Sequence, residues 1–216
     1  MDDTQPGNPW PMAMGMTGLA LFTLVGGTFF ILFAAKPKPV PAPKSFAVFN
    51  ATDGSFKCLY PSDWKKRGAG TGGIAAIAEF KMSGANIKVA SDLAGSLMGD
   101  IAKATGSMGG MGGEGGAPQK SPVEGLHASE KEDFEDDYPG YDEKPAVAFQ
   151  SGAGEGRITE FTSKGNFITG KLHGYRATIL GGERRITVEA VCPEGDWSKL
   201  NPAFKRVIAS ITAGSG

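Results

Sequence analysis

Residues Leu172 to Cys192 read LHGYRATILGGERRITVEAVC, two runs of alternating apolar and polar residues on either side of Gly181-Gly182. Alternation with a period of two belongs to a half-buried strand, and Gly-Gly between two such runs closes a hairpin. In the second run Ile186, Val188, Ala190 and Cys192 share one face, which the pattern turns toward a core. Upstream, Arg157 to Thr162 alternates in the same way. Downstream, Asn201-Pro202 offers an N-cap followed by proline at the first helical position, and Phe204, Val207, Ile208 and Ile211 then form an apolar stripe at helical spacing. Trp197 and Leu200 pack just ahead of that helix. Strands closed by an amphipathic helix predict an α/β domain of the α+β type, a central antiparallel sheet packed by helices.

The same pattern opens the domain, which the composition places at residues 45–213. Phe46 to Phe49 and Ser55 to Tyr60 are strand-like around the turn-forming Asp53-Gly54, with Phe56, Cys58 and Tyr60 on one face. Ile74 to Met82 and Asn86 to Ala90 continue as strands around Ser83-Gly84. Ser91 is expected to cap a helix with Leu93, Leu97 and Ile101 on its apolar side, ending at Gly106. Residues 105–119, TGSMGGMGGEGGAPQ, hold seven glycines without core periodicity and read as a loop.

Ahead of the domain lies MAMGMTGLALFTLVGGTFFILFAA, Met12 to Ala35, uncharged throughout. As a helix it would measure about 36 Å, enough to cross a bilayer. The preceding tail, residues 1–11, carries Asp2 and Asp3 and no basic residue, unlike a signal peptide, so an uncleaved anchor is expected. Lys36, Lys38 and Lys44 follow the span; the positive-inside rule then predicts the N-terminus outside and the domain in the cytoplasm, at the inner membrane. Ala13, Ala20, Gly27 and Ala34, with Thr23 one turn before Gly27, form a stripe of small residues suited to packing on another transmembrane helix. The linker, residues 36–44, KPKPVPAPK, favours polyproline II and predicts a stiff spacer of roughly 28 Å.

With 22 Lys and Arg against 23 Asp and Glu there is no basic field for nucleic acid. Two cysteines, Cys58 and Cys192, are too few for a disulfide scaffold or a thiolate zinc site. Both fall on inward strand faces and read as buried thiols, a single bridge between them staying open for an oxidising compartment. His127 and His173 have no Cys or carboxylate at ligand spacing, so no metal or cofactor is expected. Gly68, Gly70 and Gly73, and Gly152, Gly154 and Gly156, echo a dinucleotide loop, but neither set leads from a strand into a helix. No nucleophile elbow, phosphate loop or zinc-protease motif is present.

One stretch is strongly polarised. Ser129 to Lys144, SEKEDFEDDYPGYDEK, gathers Glu130, Glu132, Asp133, Glu135, Asp136, Asp137, Asp142 and Glu143 around Phe134, Tyr138 and Tyr141. It lacks calcium-loop spacing and reads either as a solvated acidic face or as a docking patch for a basic surface.

Cys58-Leu59-Tyr60-Pro61-Ser62-Asp63-Trp64 resembles the opening of PsbP-like domains, and GYRATIL, RRITVEAVCPEGDW and FKRVIASI resemble their last hairpin, bend and helix. That resemblance implies an α-β-α sandwich, generally without catalytic residues, of a superfamily that includes extrinsic photosystem subunits. The glycine-rich and acidic middle departs from it, as does the anchor. The expectation is a non-enzymatic, single-pass accessory subunit of an integral membrane complex, with a pigment-binding photosynthetic complex as one instance. A membrane-tethered ligand-binding or sensory module is the alternative.

Overall fold

The computed structural model describes residues 38–71, 75–93, 121–166, 168–181 and 183–214. The expected anchor with Ala13, Ala20, Thr23, Gly27 and Ala34, most of the helix expected after Ser91, and the glycine-rich segment lie outside the described residues. Among the described residues no helix is long and apolar enough to cross a membrane.

Among the described residues eleven strands form two antiparallel sheets. The larger contains β3 (Lys65–Thr71), β4 (Ala75–Met82), β5 (Ala85–Leu93), β10 (Arg184–Pro193), β9 (Leu172–Gly181), β8 (Gly154–Ser163) and β6 (Asp142–Glu143) in that spatial order, with β7 (Val147–Ser151) paired to the other half of β8. The smaller is β1 (Phe46–Asn50), β2 (Phe56–Pro61) and β11 (Thr212–Ala213). The opening hairpin and the final β9–β10 hairpin form as expected, and Ile186, Val188, Ala190 and Cys192 are buried. Together with Ile87, Val89, Tyr175, Ala177 and Ile179 they make one face of the large sheet. The small sheet and helix α3 (Trp197–Ala209), which buries Leu200, Phe204, Val207 and Ile208, cover that face. Helices α1 (Pro122–Ser129) and α2 (Lys131–Asp137) lie toward the other face, where α1 meets β8 and β9 and Phe134 of α2 meets Phe161 of β8.

Three expectations are corrected, and one strand is added. Ser91 does not cap a helix: β5 continues to Leu93, and Ser91, fully buried, pairs with Ala76 and Ile186 on either side. Two flanking strands supply ladder bonds that a local capping preference cannot match. Helix α3 begins at Trp197, so Pro202 sits inside it instead of opening it. Burial of Leu200 fixes that first turn, and proline there removes one main-chain bond. The run after Trp64 is itself a strand, β3, whose Gly68 and Gly70 pair with Ala78 and Ala76. The linker is no free spacer: Val40 is fully buried in the core and its N–H donates to Asp196 Oδ2 at 2.9 Å.

The second glycine cluster belongs to the β7–β8 hairpin. Gly154 has φ +148°, and a Cβ there would meet the Leu180 carbonyl at 2.3 Å; a Cβ on Gly156 would meet the Phe149 ring at 2.4 Å. These glycines serve turn geometry and close strand packing. Cys58 on β2 and Cys192 on β10 are free, buried thiols, both pushed up to about 12 by burial, Cys192 with help from Asp196 and Glu194.

Candidate functional site

The outer face of β8, β9 and β10 is not apolar beneath the helices. At its centre Arg176 is 2 % exposed, unusual for a side chain that cannot discharge itself. Strand alternation forces the placement: Tyr175 and Ala177 face the core, so Arg176 and Thr178 must face the helices. Its Nη2 donates to Glu143 Oε2 at 2.9 Å, its Nη1 to the His127 carbonyl, and its Nε to Tyr141 Oη at 3.3 Å. Tyr141 in turn donates to the same Glu143 oxygen at 2.6 Å. The guanidinium lies 5.4 Å over the Phe134 ring. Burial raises the Glu143 pKa, but the bonds from Tyr141 and Arg176 outweigh it and the net shift is downward.

A second carboxylate completes the cluster. Glu130 Oε2 accepts from Thr178 Oγ1 at 2.7 Å and stands 4.0 Å from Arg176, while Oε1 is 3.4 Å from Arg185. Burial is the first cause of its raised pKa. His127 of α1 is buried between Thr178 Oγ1 at 2.9 Å and Thr159 Oγ1 at 2.8 Å. Because Thr178 gives its only proton to Glu130, Nδ1 of His127 must donate to Thr178, and Nε2 accepts from Thr159. Burial, then the Arg176 charge, depresses this histidine to about 3, so it stays neutral.

A stability effect follows from that neutral state. An unfolded histidine takes up its proton near 6.5, and the folded one cannot, so stability is full above 6.5 and falls as pH drops toward 3. At pH 5 the loss is about 2 kcal/mol relative to pH 7. Urea unfolding of the parent and of His127→Gln, whose amide still bridges two hydroxyls, measures it: the variant loses about that much less between the two pH values.

The eight carboxylates of the acidic segment therefore separate. Glu130 and Glu143 turn inward onto Arg176 and Arg185 and are not part of a docking surface. Glu132, Asp133, Glu135, Asp136, Asp137 and Asp142 are exposed, with Phe134 packed inward against Phe161, Tyr138 and Tyr141. Of these six, only Glu135 makes an ion pair among the described residues, with Lys131 at 3.6 Å. Tyr138, whose hydroxyl donates to Glu189 Oε1 at 2.5 Å, ties the end of α2 to β10. Between α2 and β5–β10 runs a cleft of about 220 Å³ bordered by Lys88, Glu130, Asp133 and Arg185. It continues into a more open hollow of about 410 Å³ that shares Lys88, Asp137 and Glu189.

His173 has two carboxylate neighbours that sequence spacing concealed. Its Nε2 is 2.9 Å from Glu160 and its Nδ1 3.0 Å from Glu194, and its ring stacks on Trp197 at 3.7 Å. The carboxylates approach opposite edges of the imidazole and share no point for a cation; among the described residues no His, Cys, Asp and Glu grouping could hold a metal.

No family model matches the chain, and no curated protein sequence does. Solved structures do match. The solution structure of cyanobacterial PsbP (CyanoP) from Synechocystis sp. PCC 6803 aligns with a TM-score of 0.50 at 12% identity, over 78% of this chain and 92% of that one. The crystal structure of LpqN, involved in cell envelope biogenesis of Mycobacterium tuberculosis, aligns at 0.47 and 10% identity, over 83% and 91%. The domain has the PsbP-like fold; identities this low speak to fold alone.

Proposed function

We propose that this PsbP-like domain is a non-enzymatic, membrane-tethered accessory subunit. Residues 12–35 cross the inner membrane with the N-terminus outside, and Ala13, Ala20, Thr23, Gly27 and Ala34 pack against a helix of a larger integral membrane complex. The domain, in the cytoplasm, docks on a basic surface of that complex through Glu132, Asp133, Glu135, Asp136, Asp137 and Asp142. The observation that carries the reading is the division of the acidic segment. Two carboxylates, Glu130 just before α2 and Glu143 on β6, are consumed by Arg185 and Arg176 of the sheet, and six are left outward with a single ion pair among the described residues. Such a patch favours association rate and choice of partner. A photosynthetic reaction-centre or antenna complex is the instance that PsbP likeness favours.

Purification of the native chain in mild detergent, with mass spectrometry and an absorption spectrum, tests it. Stoichiometric co-purification of a membrane complex is expected, with bound pigment if the complex is photosynthetic; a lone, colourless protein overturns the reading. Changing the six exposed carboxylates to Asn or Gln should release the partner at lower salt while shifting stability by only about 0.5 kcal/mol per site or less. Ala20→Ile with Gly27→Ile should weaken retention through the membrane segment.

The cleft beside α2 supports a second reading, a tethered ligand-binding or sensory module. Lys88 on its floor makes no ion pair among the described residues, although Glu79 and Glu189 flank it in register. A small acidic ligand that raises the melting temperature of the parent but not of Lys88→Gln would favour this alternative.

A further inference from the structure

We propose that the β3 edge and the start of β1 form a basic face that rests on the anionic membrane surface beside the tether. The proposal rests on residues 12–35 being a membrane anchor. Its first support is chain length. Because Val40 is buried and bonded to Asp196, the length of chain between the proposed anchor and the domain is that from Ala35 to Val40. Fully extended, five residues reach about 17 Å, well short of the 28 Å that the whole linker would give. So short a tether favours contact between the domain and the headgroups.

The second support is the charge that this entry point presents. Ser45 Oγ bonds Ser62 Oγ at 2.5 Å, which sets the end of the linker beside the turn leading into Lys65, Lys66 and Arg67. All three are exposed on the outermost strand of the described large sheet, Lys66 on the side of β1 and Lys65 and Arg67, across from Lys81 and Glu79, on the other side of the same edge. Lys66 Nζ is 5.9 Å from the rings of Phe49 and Tyr60, and the Arg206 guanidinium lies 4.4 Å over Phe46, so cations from β3 and α3 converge around β1. Lys44 adds another, and the one exposed acid in this turn is Asp63. None of Lys44, Lys65, Lys66, Arg67 and Arg206 makes an ion pair among the described residues. Val48, on the same strand β1, is 62% exposed and offers an apolar contact. The acidic helix α2 lies over β8 to β10, three to five strand spacings from β3, so roughly 14–24 Å lies between the basic edge and the acidic face. One side of the described domain can thus meet lipid while the other stays free for a partner.

The test uses the full chain carrying an environment-sensitive dye at Val48→Cys. Cys58 and Cys192, buried and raised to about 12, leave the new thiol as the reactive one. The protein is reconstituted in phosphatidylcholine vesicles with and without phosphatidylglycerol. The expected result is a blue-shifted emission only with the anionic lipid, reversed by high salt. Lys65→Gln, Lys66→Gln and Arg67→Gln together should lower the docked-to-undocked ratio on the order of a hundredfold, roughly fivefold per cation. Emission that is the same in both vesicle types, or that ignores the triple variant, overturns the proposal. Flotation of the vesicles in high salt and carbonate reports on the anchor separately. A chain that floats while its dye is silent defeats the basic face alone; a chain that stays behind defeats the anchor.

Discussion

Arg176→Ala is expected to lower the stability of the domain by about 3–5 kcal/mol, because it strips the counter-charge from carboxylates already out of water. Glu143 loses its 2.9 Å partner and Glu130 a cation at 4.0 Å. The His127 carbonyl and Tyr141 Oη lose a donor each, and Phe134 loses the cation over its ring. Arg176→Lys should recover only part, since one ammonium cannot reach three acceptors placed to suit a planar fork. Arg176→Met with Glu130→Gln and Glu143→Gln should lie much closer to the parent, for removing a whole buried ionic group is far less costly than orphaning half of it. Urea unfolding at pH 7 gives the four values. A loss below about 1 kcal/mol for Arg176→Ala would mean that the helices hold to the sheet by Leu126 and Phe134 alone.

Phe204→Ala should cost a similar 3–5 kcal/mol by a different route, an unfilled void. Phe204 is fully buried, its ring edge-on to Trp64 at 6.3 Å and 6.2 Å from Trp197, where α3, the turn before β3 and the bend after β10 meet. Phe204→Leu keeps most of the volume and should cost roughly half as much. For a domain of this size the alanine variant melts about 6–20 °C lower, which calorimetry reads directly. Emission of Trp64 and Trp197 should change in the folded variant, whereas in Arg176→Ala, acting on the other face of the sheet, it should not.

What the sequence disclosed follows from where the information lies. The β9–β10 hairpin and the apolar stripe of α3 each carry a complete local period, and neither needs a distant residue to be recognised. β3 has no such period: KKRGAGT is charged and glycine-rich because an outermost strand has one partner and little to bury. β5 extends beyond its local pattern, because Ser91 looks like a cap until β4 and β10 are known to flank it. The acidic segment is the clearest lesson. Its eight carboxylates are alike in sequence, and only the cations at positions 176 and 185, brought up by β9 and β10, decide that Glu130 and Glu143 turn inward. Arg176 itself fell on the face that alternation marks as polar, and nothing local reveals that two short helices will roof that face. Val40 is a similar case: a lone valine in a proline-rich run gives no sign that Asp196, 156 residues later, will hold it.

The small sheet is completed by β11, the last strand among the described residues. β11 bonds to Lys57 and Phe56 of β2, and the Gly152 to Thr212 bridge ties it to the turn before β8. During synthesis Lys57 must therefore wait for Thr212, 155 residues later, which at ~5–20 residues per second is about 10–30 s. Any nascent intermediate exposes that edge of β2 throughout the interval, and the small sheet cannot close until Thr212 and Ala213 have left the ribosome. A fusion or tag that crowds the C-terminus would prolong the exposure, so its burden should fall on folding yield far more than on the stability of molecules that have already folded.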